Sequence, residues 1–268
     1  MCAGNLISSC GDSSNFPQEA LERFTSFGLE CLKQADAKYE LKETAINYFS
    51  EISKVLRSQM APIIPMILDQ ILESTETKVA SQEVDTEKKA DEFDLDSDEE
   101  DEEEGIMLQL DYEAIDEQVS AIHCLGNLSL NCSGLMQPHL ERICEKLKSL
   151  GGFVHENVRY HVSLSLTQIA FGLLRLALGK QDSDDKFRWE PGFPPKEALP
   201  DTVKQFLDQF LIPHLKDQLA KEVSKSVVEK LLENIRDLAD EMGPSGIFDH
   251  IEWIVGTIEQ LLDKTAPC

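Results

Sequence analysis

The sequence predicts an all-α solenoid, a right-handed superhelix of stacked two-helix hairpins. Three observations carry that expectation. Apolar residues recur three and four apart over long stretches, as on one face of a helix. Those stretches repeat along the chain in fixed register. No stretch reads convincingly as a strand. With 268 residues and 41% hydrophobic content, the chain is long enough to bury a substantial core.

The register is read by placing the segment from Glu43 under the segment from Val119, at a constant offset of 76 and without a gap. Ala45 and Ile46 then fall on Ala121 and Ile122, Phe49 on Leu125 and Ile52 on Leu128. Further along, Met60 falls on Met136, Pro62 on Pro138, Ile67 on Ile143 and Ile71 on Leu147. Each proline is expected at the start of a second helix, where its missing N–H is no loss. A third copy from Asn157 matches at an offset of 41, with Val162 on Ala121, Leu166 on Leu125 and Ile169 on Leu128. A fourth, "SVVEKLLENIRDLADEMG", lies 69 further on, and Pro213 repeats the second-helix proline.

The period is therefore 41, and the longer steps contain insertions. One is acidic. The other, at 180–198, is rich in proline and charge, as a loop should be. At the start of the sequence, Cys2, Gly4, Asn5 and Leu6 match Cys124, Gly126, Asn127 and Leu128 in the middle of a first helix. The expectation is about five repeats, the first incomplete, cut from a longer array. The division is 1–73 repeats, 74–110 a disordered acidic loop, and 111–268 repeats carrying the second insertion. Second helices are expected near Pro62 to Leu72, Pro138 to Leu150 and Pro213 to Leu219.

Charge narrows the function. Of a formal net charge of −25, the window 74–116 carries −15, from eighteen acids and three lysines. So acidic a chain is a poor ligand for a phosphate backbone, which needs lysine and arginine to displace its counterions. Basic proteins are the natural partners. Within the window, Asp91, Glu92, Asp94, Asp96, Asp98, Glu99, Glu100, Asp101, Glu102, Glu103 and Glu104 place eleven acids in fourteen positions. Such density repels itself and resists burial. It reads either as a solubilising loop or as a polyanionic arm that attracts lysine-rich and arginine-rich proteins in a salt-dependent way. Ser97, followed by Asp98, Glu99 and Glu100, is a candidate acid-directed phosphosite.

Other residues read as structural. The seven cysteines are odd in number and contain no CxxC pair, which predicts reduced thiols and a cytosolic or nuclear setting. The triplets at Asn127 and Asn131 resemble glycosylation acceptors but lie inside a helical pattern, and read as chance matches. No apolar run approaches the ~20 residues of a membrane span, and no secretory leader is seen. His123, His155 and His161 lack metal-ligand spacing, and Cys124 next to His123 points in another direction on a helix. Phe187, Trp189 and Phe193 are expected to fold back over a neighbouring helix rather than to form an exposed anchor. No phosphate-binding loop is found, and neither enzymatic activity nor a cofactor or metal is expected.

A two-helix period of this length with proline opening the second helix is the pattern of HEAT repeats. The ordered run "YELKETAINYFSEISKVLRSQMAPIIPMIL", the acidic tract, then "DYEAIDEQVSAIHCLGNLSLNCSGLMQPHLERICEKLKSL" resembles the central region of the importin-β (karyopherin-β) superfamily. The importin-four branch is the best fit, and "GTIEQLLDKTAPC" is also similar to it. The resemblance spans nearly the whole chain, although the family's proteins are several times longer. It implies import of basic cargo such as histones or ribosomal proteins, held in a concave face lined by second helices. It also implies passage of the nuclear pore on phenylalanine-glycine nucleoporins, release by Ran in its GTP form, and shuttling between cytoplasm and nucleus. The family's main Ran-binding repeats lie before the region matched here. Two rival readings are a HEAT scaffold of an enzyme complex and an acidic histone chaperone.

Overall fold

The computed structural model describes residues 17–34, 37–76, 111–180, 187–190, 192 and 194–265. The helices are α1 (Gln18–Lys33), α2 (Tyr39–Leu56), α3 (Ile64–Ser74), α4 (Tyr112–Asn131), α5 (Leu140–Leu150) and α6 (Glu156–Ala177). They are followed by α7 (Asp201–Phe206), α8 (Ile212–Lys221), α9 (Lys225–Ile247) and α10 (Ile251–Thr265), with no strand among the described residues. The first helices α2, α4, α6 and α9 pack side by side in that order. Each second helix also touches the first helix of the following repeat: α3 against α4, α5 against α6 and α8 against α9. Helix α1, packed on α2 and α3, takes the place of a second helix ahead of them. The chain is an all-α solenoid.

Its core is the register read from the sequence. Ala45, Ala121, Val162 and Leu231 are buried, as are Phe49, Leu125, Leu166 and Ile235, and then Ile52, Leu128, Ile169 and Leu238. Each large member contributes about 1.5–3 kcal/mol of transfer free energy. Because α4 and α6 have helices on both sides, their apolar stripe gives way to small and polar residues. A Cβ on Gly126 would overlap Gln168, and one on Gly172 would overlap the Ser129 carbonyl. Three of the polar side chains on these helices donate across the stack. Asn127 Nδ2 donates to Ser50 Oγ (2.7 Å), Gln168 Nε2 to Asn127 Oδ1 (2.9 Å), and Ser165 Oγ to the Ile122 carbonyl (2.8 Å). Asn127 is thus spent inside the stack and is no surface acceptor for a glycan.

The hairpin corners differ in detail from the expectation. Pro62 lies in the turn before α3, where Pro65 occupies the first helical turn, and Pro138 lies in a 3₁₀ turn over Gln137–His139. The second helices therefore start two residues after these prolines. The fully buried Met60 and Met136 plug the two corners. Pro213 does not open its helix: α7 begins twelve residues earlier and runs through a π turn (Leu207–Leu211) straight into α8. Proline cannot donate to the carbonyl four residues back and its ring crowds it, so a wider turn just ahead lets the helix pass through. Capping is local. Asp111 accepts from the Glu113 and Ala114 amides (3.1 and 3.3 Å) at the start of α4, and His155 accepts from Asn157 N at the start of α6.

Within the second insertion, Trp189 folds back as expected. Its indole N–H donates to the Glu241 carbonyl (2.8 Å), and its ring covers Gly243, whose φ of 64° breaks α9. Only glycine accepts both that backbone and that contact without strain. Phe187 lies tilted against Trp189 (6.1 Å between ring centres, 45° between planes) beneath the Lys180 ammonium. Phe193, the match at Cys2 to Leu6, the incomplete first repeat it implies, the acidic residues Asp91 to Glu104 and Ser97 all lie outside the described residues.

Candidate partner-binding surface

The two ends of the acidic segment converge. Glu76, where the described chain breaks off, and Ala114, just after it resumes, line one pocket. From there a groove of about 520 Å³ runs between α3 and α5, lined by Asp69, Glu73, Glu76, Arg142, Glu145 and Lys146. Two ion pairs bridge it: Arg142 Nη1 to Asp69 (2.6 Å) and Lys146 Nζ to Glu76 (3.4 Å). The first is largely exposed and the second half exposed, so both hold the repeats together only weakly. The groove has four carboxylates against two cations, so it keeps a net negative charge after its own pairing. The pocket at its end adds Tyr39, Lys42, Gln70 and Glu117, the last only 6% exposed. Sequence reading placed the acidic function on residues 91–104 and missed Glu117. The signal was present, because the same register puts Leu41, Val158 and Val227 at the equivalent positions.

A second cleft, of about 230 Å³, opens between α5 and α8 around Lys148, Gly151, Phe210, His214 and Gln218. His214 Nε2 meets Ser163 Oγ at 2.8 Å, and burial pushes its pKa down to about 4, so the ring is neutral near pH 7. Gln218 Nε2 donates to the Gly151 carbonyl across this cleft. Beside it, Arg159 ties two inter-repeat turns together. Its guanidinium grips Glu222 bidentately (2.8 Å each) and donates to the Phe153 and Val154 carbonyls, while Glu222 also accepts from the Val223 and Ser224 amides. The Arg159 pairing holds the Glu222 carboxyl below its ordinary value, with help from those two amides.

His123 and His161 face each other edge to face across α4 and α6, 5.8 Å between ring centres, and burial lowers both pKa values. Cys124 beside His123 is fully buried, and burial pushes its thiol far up; Cys31 and Cys144 are likewise buried thiols, and the buried Cys132 Sγ donates to the Arg57 carbonyl (3.3 Å). Among the described residues no group of three or more His, Cys, Asp or Glu could hold a metal ion. None of the described helices is long and apolar enough to cross a membrane.

No family model and no curated protein matches the chain. Among solved structures it is similar to a designed armadillo repeat protein, YIII(Dq.V1)4CPAF, in complex with the peptide (KR)4. The two share 15% identity at a TM-score of 0.42, over 87% of this chain and 90% of that chain. Its own stacking of α2, α4, α6 and α9 makes this chain a helical-repeat solenoid.

Proposed function

We propose that this chain is a segment of a nuclear import receptor of the importin-β type, most like the importin-four branch, and that it binds basic cargo proteins. The observation that supports this reading is the coincidence of two anionic features. A groove with excess carboxylates between α3 and α5 sits at the root of a segment with eleven acids in fourteen positions. The arm raises the encounter rate with lysine-rich and arginine-rich surfaces, and the second helices supply the docking surface. On this reading the chain works by binding and not by catalysis, has no direct nucleic-acid or membrane partner, and shuttles between cytoplasm and nucleus. Phenylalanine-glycine nucleoporins and Ran in its GTP form are partners of the longer protein that the reading implies.

The test compares the full chain with a variant whose eleven acids from Asp91 to Glu104 are replaced by their amides. Each is titrated with a purified core histone at low and at physiological salt. The expected result is weaker binding by the variant, with the difference shrinking as salt rises. Equal affinity of both forms at both salts would refute a role for the arm.

A further inference from the structure

We infer that the cleft between α5 and α8 receives one tryptophan side chain of a protein partner lying along the second helices. The inference goes beyond the basic-partner reading, because charge plays no part in it, and either can fail without the other. It starts from two polar atoms on the cleft wall that the chain leaves without a partner. Ser163 Oγ donates to the Arg159 carbonyl (3.2 Å), so it accepts from His214 Nε2–H, and His214 Nδ1 is left as a bare acceptor. Gln218, only 5% exposed, spends an amide N–H on the Gly151 carbonyl, and its Oε1 makes no hydrogen bond with a described residue. Neither atom is closed off from solvent, so both are reached through the cleft that their side chains line.

Gly151 makes that access possible. A Cβ there would stand 3.0 Å from His214 Cε1 and 3.2 Å from Nδ1, covering the ring edge that the cleft now exposes. Its carbonyl orients the Gln218 amide, so both acceptors lie beside the same residue. Around them the wall is Cys144, Leu166, Phe210 and Pro213. Three properties select the occupant. The space is about 230 Å³, and an apolar cavity of about 150 Å³ holds a benzene ring, so two fused rings fit here. The two open atoms are both acceptors, which suits a group that donates and does not accept. An indole N–H is such a group, whereas a phenol hydroxyl carries lone pairs of its own. On the rim, Lys148 is a cation and Asp217 already pairs with Lys221, so an entering guanidinium or ammonium finds no spare carboxylate. Tryptophan brings a large apolar area with a single polar atom to satisfy, which is why it anchors interfaces.

The experiment titrates the isotope-labelled full chain and reads its amides by heteronuclear NMR. The probe is N-acetyltryptophanamide, and the comparator is its N-methylindole analogue, which lacks the N–H. The expected result is saturable shifts centred on the Gly151 and Gly152 amides, with a Kd on the order of 1 mM for so small a probe. The comparator is expected to bind about tenfold more weakly, because it leaves both acceptors unpaired. Gly151→Ala, whose methyl covers the His214 ring edge, is expected to weaken the probe about fivefold at an unchanged thermal midpoint. No saturable shift at Gly151 and Gly152 up to about 10 mM probe overturns the inference, as does a comparator that binds within about threefold of the probe. N-acetyltyrosinamide or N-acetylargininamide binding more tightly than the probe overturns the choice of tryptophan. If Gly151→Ala lowers the midpoint, the comparison of probe and comparator on the wild-type chain decides alone. Failure of the arm variant to lose histone binding leaves these outcomes untouched, so the two readings are tested separately.

Discussion

Gly172 and Gly126 determine how closely α4 and α6 approach, and that spacing aligns the Asn127 and Gln168 hydrogen bonds. A methyl on Gly172 meets backbone, the Ser129 carbonyl, which cannot rotate away; on Gly126 the nearest atom is the end of the Gln168 side chain. Gly172→Ala is therefore expected to lose about 3 kcal/mol in urea unfolding, more than Gly126→Ala, while Gly152→Ala, with open space around it, stays within about 0.5 kcal/mol. Two other residues contribute to the acid side of stability. His214 has a folded pKa of about 4, below its ordinary 6.5, so the unfolded chain binds the proton first as pH falls. Its contribution is complete above pH 6.5 and drains away toward pH 4, by about 3 kcal/mol in all. Stability curves at a series of pH values should show this limb, and His214→Gln should flatten it. Glu222 acts lower on the scale. Its pKa is depressed from 4.5, so the stability its pairing adds is present above that value and is lost as pH falls through the folded value. Glu222→Gln leaves Arg159 poorly paired at neutral pH and is expected to lose about 2–3 kcal/mol there.

At the scale of elements, the first helices were the most legible part of the sequence. The spacing of Ala45, Phe49 and Ile52, repeated at Ala121, Leu125 and Leu128, fixes which face is buried, because only that face can meet its neighbours in a stack. The second helices were legible in position but not in their starts. Proline excludes a donor without saying whether the chain turns, as at Pro62, or continues through a wider turn, as at Pro213. The folding back of Trp189 could be expected from its composition alone. Its seat on Gly243 could not, since that contact depends on a break in α9 far along the chain. Trp189→Ala should uncover that break and lower stability by about 3 kcal/mol, with loss of near-ultraviolet circular dichroism from the indole. Replacing Gly243 by alanine should reproduce the effect, since both the backbone and the ring contact are then strained.

At the scale of the molecule, a stack of repeats presents two kinds of surface, one made by first helices and one by second helices. The candidate site lies on the second kind, between α3 and α5, where the acidic segment interrupts the array. The sequence displayed the charge of that segment plainly, because eleven acids in fourteen positions need no fold to be read. It displayed Glu117 only as one more acid, because burial is a property of the packing. The central claim, that a basic partner docks along the second helices beside the acidic root, is tested most directly by hydrogen–deuterium exchange of the full chain with and without a saturating core histone. Slowed exchange confined to α3, α5 and the start of α4, with α2 and α6 unchanged, is the expected result. Protection centred on the first helices, or bound histone with no change at α3 and α5, would contradict it.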